Sequence, residues 1–217
     1  MKSFHNLTPL LEAIQRNHER GYTVFTSFVI GEDKMREKSE DVICNFGTGL
    51  PTWKQQDRKH KKLPIARAVC GPVSAQPGKW EVIIQATPLA CTAPLLSPFA
   101  HEKWRDQLPK FGDYELTHEV DNRGNYTWTW KLQEHIYWQL SRHLTAIVKR
   151  RGAAAVAAET KRWAKVFPMF GGVRRQLQRL LKSAMKLWVA SCKETWPGLL
   201  PAELPMKIGF RGTGDQA

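Results

Sequence analysis

The 217-residue sequence predicts an α+β fold, a mostly antiparallel sheet of about five strands with a basic C-terminal helical unit packed on one face. Three observations predict it. The segments Tyr22–Ile30, Ile65–Cys70 and Trp80–Ala90 are rich in β-branched and aromatic residues and poor in charge. Residues Asp113–Lys131 alternate with period two around Asn122, Arg123 and Gly124, the pattern of a hairpin. Beyond Gln133 the apolar residues recur every three to four positions, which is helical. The domain reading is a body over 1–132, a basic helical region over 133–196 packed on that body as one domain, and an extended tail over 197–217.

In chain order, Thr8 and Pro9 read as a helix start, with Thr8 as cap, and Leu10, Leu11, Ile14 and His18 follow at helical spacing up to Gly21. Tyr22–Ile30 (YTVFTSFVI) is nearly free of charge, as a central strand covered on both faces would be. Glu32–Phe46 reads as a short helix ended by Gly47. Trp53–Lys62 (WKQQDRKHKK) reads as an exposed, strongly basic connection. Ile65–Cys70 and Trp80–Ala90 follow as strands joined by a Gly- and Pro-containing loop, then a short helix from Ser97 to Leu108.

In the Asp113–Lys131 hairpin, alternation puts Tyr114, Leu116, His118 and Val120 on one face with Tyr126, Trp128 and Trp130. The opposite face carries Asp113, Glu115, Thr117, Glu119 and Asp121. Gln133–Val148 is helical, Gly152 interrupts, and an Ala-rich helix runs to Val166. Pro168, Gly171 and Gly172 make a turn into a last long helix, and the tail from Pro197 is extended.

Charge is concentrated in one stretch. Arg142–Lys193 holds thirteen Lys or Arg against one acid, Glu159, in a chain whose whole net charge is +13. Within it Val173, Leu177, Leu181, Ala184 and Trp188 form an apolar helical stripe, and Arg175, Arg179, Lys182 and Lys186 recur on the opposite side. A solvated charged face usually carries acids that pair with its cations, and this one has none close in sequence. Such a ridge suits a polyanion, because neutralising phosphates releases condensed counterions. The expected function is therefore binding of the nucleic-acid backbone, DNA slightly favoured over RNA. The contact residues are expected to be Arg150, Arg151, Lys161, Arg162, Lys165, Arg174, Arg175, Arg179, Lys182 and Lys186, with Lys59, Lys61 and Lys62 as a second cluster.

Other classes are weighed by their residues. No run of eighteen apolar residues occurs, and Met1–Leu10 lacks the apolar middle of a secretory signal, so the expected setting is intracellular, cytoplasmic or nucleoid-associated, with no membrane partner. The narrow apolar face of the basic helix is needed for packing, which argues against a membrane surface. Cys44, Cys70, Cys91 and Cys192 lie far apart and read as reduced core thiols. There is no Walker loop, dinucleotide fingerprint or Gly-x-Ser-x-Gly elbow, and no cofactor is expected.

The enzymatic alternative is a metal-dependent nuclease or nicking enzyme. Asp113, Glu115, Glu119 and Asp121 on one hairpin face could hold a divalent metal, with Glu115, Glu119 and Asp121 as the catalytic candidates, and Tyr137, on a helix between His135 and His143, could serve as a nucleophile. Alternation alone produces an acidic solvent face, and the paired histidines of a nicking site are absent from any one strand, His118 standing alone in its own. Trp128, Trp130, Tyr126 and Tyr114 could form a stacking platform for bases, but a helical Leu and Trp stripe needs a core of this kind to cover it.

Overall fold

A computed structural model of the chain describes residues 2–73, 76–88, 108–120, 124–150 and 152–206. It is α+β, and it divides into two compact units, Met1–Gly112 and Asp113–Ala217. The hairpin, grouped with the body in the sequence reading, thus belongs with the helices that follow it. The expected helix over Ser97–Leu108 falls outside the described residues apart from Leu108.

The first unit runs β1 (Lys2–Ser3), α1 (Leu7–Glu19), β2 (Val24–Gly31), α2 (Met35–Phe46), α3 (Thr52–His60), β3 (Ala66–Pro72) and β4 (Lys79–Ala86). Its sheet has the order β1-β3-β4-β2. β4 pairs antiparallel with both β3 and β2, in registers Cys70↔Val82 and Phe28↔Val82, and β1 lies parallel to β3. Period two gives the sheet two apolar faces. Ala66, Ala68, Cys70, Val82, Ile84 and Ala86 form one core with Val42 of α2. On β3 and β4 the alternate residues face α1, as Gln85 shows by donating to the Ile14 carbonyl at 3.1 Å while accepting from Asn17 at 3.1 Å.

Three expectations for this unit are corrected. The Tyr22–Ile30 segment is not central: β2 is the sheet edge, and Ser27 and Val29 are exposed. Its composition signals burial but does not say which neighbour it pairs with, and β4 takes the middle by pairing on both sides. Trp53–Lys62, read as a connection, is mostly helix α3, exposed as expected and with no buried residue. The cap of α1 is Asn6, which leaves Thr8 and Pro9 inside the first turn.

In the second unit β6 (Tyr114–Val120) pairs antiparallel with β7 (Tyr126–Leu132), and the two-residue β5 (Lys110–Phe111) falls at the end of the first unit. The strands therefore form two sheets, not the single sheet of about five that the sequence predicts. The physical reason is visible at the free edge of β7. There Gln176 accepts from the Leu132 N–H at 2.7 Å and donates to the Leu132 carbonyl at 3.1 Å, so a side-chain amide occupies the place of a further strand.

Gln176 belongs to α6 (Gly171–Cys192), which follows α4 (Glu134–Lys149) and α5 (Ala153–Val166). Gly171 and Gly172 begin this helix and are not part of the preceding turn. A Cβ on Gly172 would lie 2.5 Å from the Trp130 carbonyl, so only glycine lets α6 approach β7 this closely. The predicted stripe is buried: Val173, Leu177 and Leu181 are fully enclosed, and Ala184 and Trp188 nearly so. Nor is the start of the tail simply extended, since Pro201–Glu203 forms a short 3₁₀ helix. Arg174 donates to the Leu204 carbonyl, Gln178 to the Pro201 carbonyl, and the Leu199 N–H to Thr160, which fasten residues 199–204 to α5 and α6.

Candidate nucleic-acid interface

The basic residues divide into those engaged with other protein groups and those that face outward. Arg175 forms an ion pair with Glu119 of β6. Arg162 makes two hydrogen bonds to Glu159, at 2.9 and 2.6 Å. Arg174 is held by the Leu204 carbonyl at 3.2 Å, and Lys61 pairs with Asp57 one helical turn away at 2.9 Å. Sequence separation hid the first of these, because Glu119 lies far outside the basic stretch. Arg175 is therefore a tie between α6 and the hairpin.

What remains is a smaller set. Arg179, Lys182 and Lys186 face outward along one side of α6, and no ion pair joins them to a carboxylate among the described residues. Their spacing of three and four places them on one face, opposite the buried Leu177, Leu181 and Trp188. Lys161 and Lys165 are exposed one turn apart on α5, and Arg150 is exposed at the end of α4. Arg151 lies outside the described residues. In the first unit Lys59 and Lys62 lie near the end of α3, whose Trp53 is 65% exposed with the Lys54 ammonium 5.3 Å from its ring centroid.

Glu159, the one acid in the basic stretch, has a structural task. It accepts from the indole of the fully buried Trp163 at 2.8 Å as well as from Arg162, and His143 lies 3.7 Å away. The bonded guanidinium of Arg162, with the Trp163 indole, holds its carboxyl below the usual glutamate range. It secures the inner side of α5 and leaves the outward cations uncompensated.

The hairpin faces separate as alternation predicts, with one further distinction along their length. Tyr114, Leu116, Trp130 and Leu132 are buried at the base. Burial also raises the Tyr114 hydroxyl well above its ordinary pKa. Toward the tip the same face opens, and His118 stacks between Tyr126 and Trp128, with centroids 4.9 and 4.6 Å away and rings 24° and 28° from parallel. Tyr126 is 71% exposed and Val120 52%. The aromatic face is thus half core and half surface. His118 is alone only along its own strand: period two places it beside Tyr126 and Trp128, away from the strand ends that the helices cover.

On the polar face, Glu115 meets Lys131 at 3.1 Å directly across the strands, and Glu119 meets Arg175. Asp121 lies outside the described residues. Among the described residues no group of three His, Cys, Asp or Glu side chains is placed to hold a metal ion. Tyr137 is half-buried on α4 with its ring edge-on to Trp138 at 5.4 Å, while His135 points to solvent and His143 toward Glu159. These residues are not gathered around Tyr137. None of the described cysteines is in a disulfide, but only Cys70 of them is a core residue, and burial pushes its thiol up to about 11; Cys44 is exposed and Cys192 half-buried, against the expectation of core thiols.

No described helix is long and apolar enough to cross a membrane. The chain matches no family model, no curated protein and no solved structure.

Proposed function

We propose that the second unit binds the phosphate backbone of nucleic acid through the outward face of α6. The observation that carries this reading is the outward row Arg179, Lys182 and Lys186, without carboxylate partners among the described residues, on a helix whose opposite side is locked into the core. A row of like charges repels itself, and a rigid helix holds it at fixed spacing, so a polyanion is the partner that relieves it. Lys161, Lys165 and Arg150 extend the positive surface of the same unit. Contacts of this kind position a nucleic acid without reading its sequence.

A second component has its own observation, the Tyr126–His118–Trp128 stack with its exposed outer ring. An aromatic stack with one open face accepts an unpaired base, since every base offers a π surface. With this component the reading shifts toward single-stranded segments. The deciding experiment titrates the full chain against duplex DNA, single-stranded DNA and RNA of equal length across a salt series. Binding that weakens steeply with salt is expected, and Tyr126→Ala should lower affinity for the single strands more than for the duplex. Affinity independent of salt would remove the backbone reading, and an equal loss on all three would remove the stacking component.

A further inference from the structure

The first unit contains a cavity of about 530 Å³ between the C-terminal half of α1, strand β3, and the segment that joins α2 to α3. Its polar lining is Arg16 and Asn17 from α1, Arg20 just after that helix, Arg67 from β3, Thr48 from the loop after Gly47, and Gln55 from α3. Among the described residues no carboxylate lines it. Spacings of four and three residues place Arg16 and Asn17 each beside Arg20.

Two of these groups are committed inward. Asn17 donates to Gln85 and Gln55 donates to the Leu50 carbonyl, at 3.1 and 2.7 Å, which fixes the walls. The Arg67 Nε and the Thr48 hydroxyl are both buried and have no hydrogen-bond partner among the described residues. The Arg67 guanidinium also lies 5.2 Å from the centroid of the Tyr22 ring, a cation–π contact.

A structural role explains part of this cluster. Arg16 and Arg20 sit in or just after the last turn of α1, where the helix dipole favours cations. The dipole does not explain Arg67, on a β-strand, whose buried Nε–H lacks an acceptor in a protein interior where such groups are normally paired.

We propose that this cavity binds a phosphomonoester. Guanidinium groups match phosphate oxygens in a bidentate way, and several of them around one group favour a dianion over a single carboxylate. The volume lies within the range of small-molecule sites, roughly 300–1,000 Å³, so it accommodates a mononucleotide and not merely a bare ion. The phosphomonoester has two sources, a free nucleotide or the 5′-phosphate at the end of a nucleic-acid strand. Neither depends on the α6 row, which is in the other unit.

The test uses calorimetric titration of the full chain with adenosine monophosphate, with adenosine as control, and with one oligonucleotide carrying either a 5′-phosphate or a 5′-hydroxyl. Saturable binding of the monophosphate but not of adenosine supports the site with a free nucleotide as ligand. A preference for the 5′-phosphate oligonucleotide over its 5′-hydroxyl counterpart supports it with a strand end as ligand. In either case Arg67→Gln should weaken binding at least about tenfold, as loss of a charged hydrogen-bond partner does. The pair Arg16→Gln and Arg20→Gln, which leaves the core intact, should do the same even if Arg67→Gln fails to fold. Replacing Arg179, Lys182 and Lys186 should leave the 5′-phosphate preference unchanged. Absence of both the monophosphate binding and the 5′-phosphate preference overturns the proposal, as does binding that survives the Arg16 and Arg20 substitutions.

Discussion

The first unit gathers a few arginines around a hollow, whereas the second spreads its cations over the outside of helices. Arg16, Arg20 and Arg67 come from two elements and converge on one cavity, while Arg179, Lys182 and Lys186 come from one element and stay in a row. Net charge does not distinguish these arrangements, but curvature does. A concave cluster can surround one small dianion and desolvate it. A convex row meets a long polyanion at several separate points, each still in water and each screened by salt. The basic excess of a sequence locates charge, and only the fold says what shape of partner that charge suits.

The row is useful only if α6 is rigidly held, and that can be broken. Trp163→Ala should be the most damaging substitution, because it empties a fully buried site on α5 and strands Glu159 without its indole donor. A destabilisation of about 3–5 kcal/mol is expected for the second unit in denaturant unfolding. A change below about 1 kcal/mol would mean that α5 is not packed as described.

Gly172→Ala should come next. The added methyl meets the Trp130 carbonyl, so α6 must move off β7, at a cost of about 1–3 kcal/mol despite the better helix propensity of alanine. Should the variant instead be more stable, the close approach of α6 to the hairpin would be wrong, and with it the fixed orientation of the row.

The helices of the second unit are legible in the sequence because periodicity is a local signal. Val173, Leu177, Leu181, Ala184 and Trp188 are all buried as their spacing requires, and β6 and β7 pair antiparallel in the predicted register of faces. Long-range pairing is not legible. Nothing local to Tyr22–Ile30 says that it ends a sheet, and nothing near Arg175 reveals Glu119. The cavity is hidden for the same reason, since Arg16, Thr48, Gln55 and Arg67 are dispersed along the chain. Its only local trace is Arg16 and Arg20 one turn apart on a helix whose other side is apolar. The stacked rings at the hairpin tip are within reach of alternation, but a core role extended to the whole aromatic face holds only at its base.

A smaller effect sharpens the description of the first unit. His18 is buried on α1, and desolvation lowers its pKa from the ordinary 6.5. The unfolded chain then binds a proton that the folded chain refuses, so His18 favours folding above pH 6.5 and this contribution falls away as pH drops through the lowered value. Glu81 acts with the opposite sign, because burial raises its pKa and folding is favoured as it takes up its proton. Comparing melting temperatures of the chain and of His18→Gln across roughly pH 5 to 8 cancels the Glu81 contribution. The chain should lose stability relative to the variant below pH 6.5, and parallel curves would show that His18 is not buried in the neutral form.

The most direct test of the central claim is the salt dependence of nucleic-acid binding when Arg179, Lys182 and Lys186 are all changed to Gln, with Arg175→Gln as the reference variant. The triple variant removes outward charge and leaves Leu177, Leu181 and Trp188 in place, so it should fold normally. Its slope of log affinity against log salt should become shallower by about 0.9 for each duplex phosphate that the protein no longer neutralises, and by somewhat less on single strands. Arg175→Gln should change the slope little, because that guanidinium is paired with Glu119. A folded triple variant that keeps both the affinity and the slope of the parent chain would contradict the account.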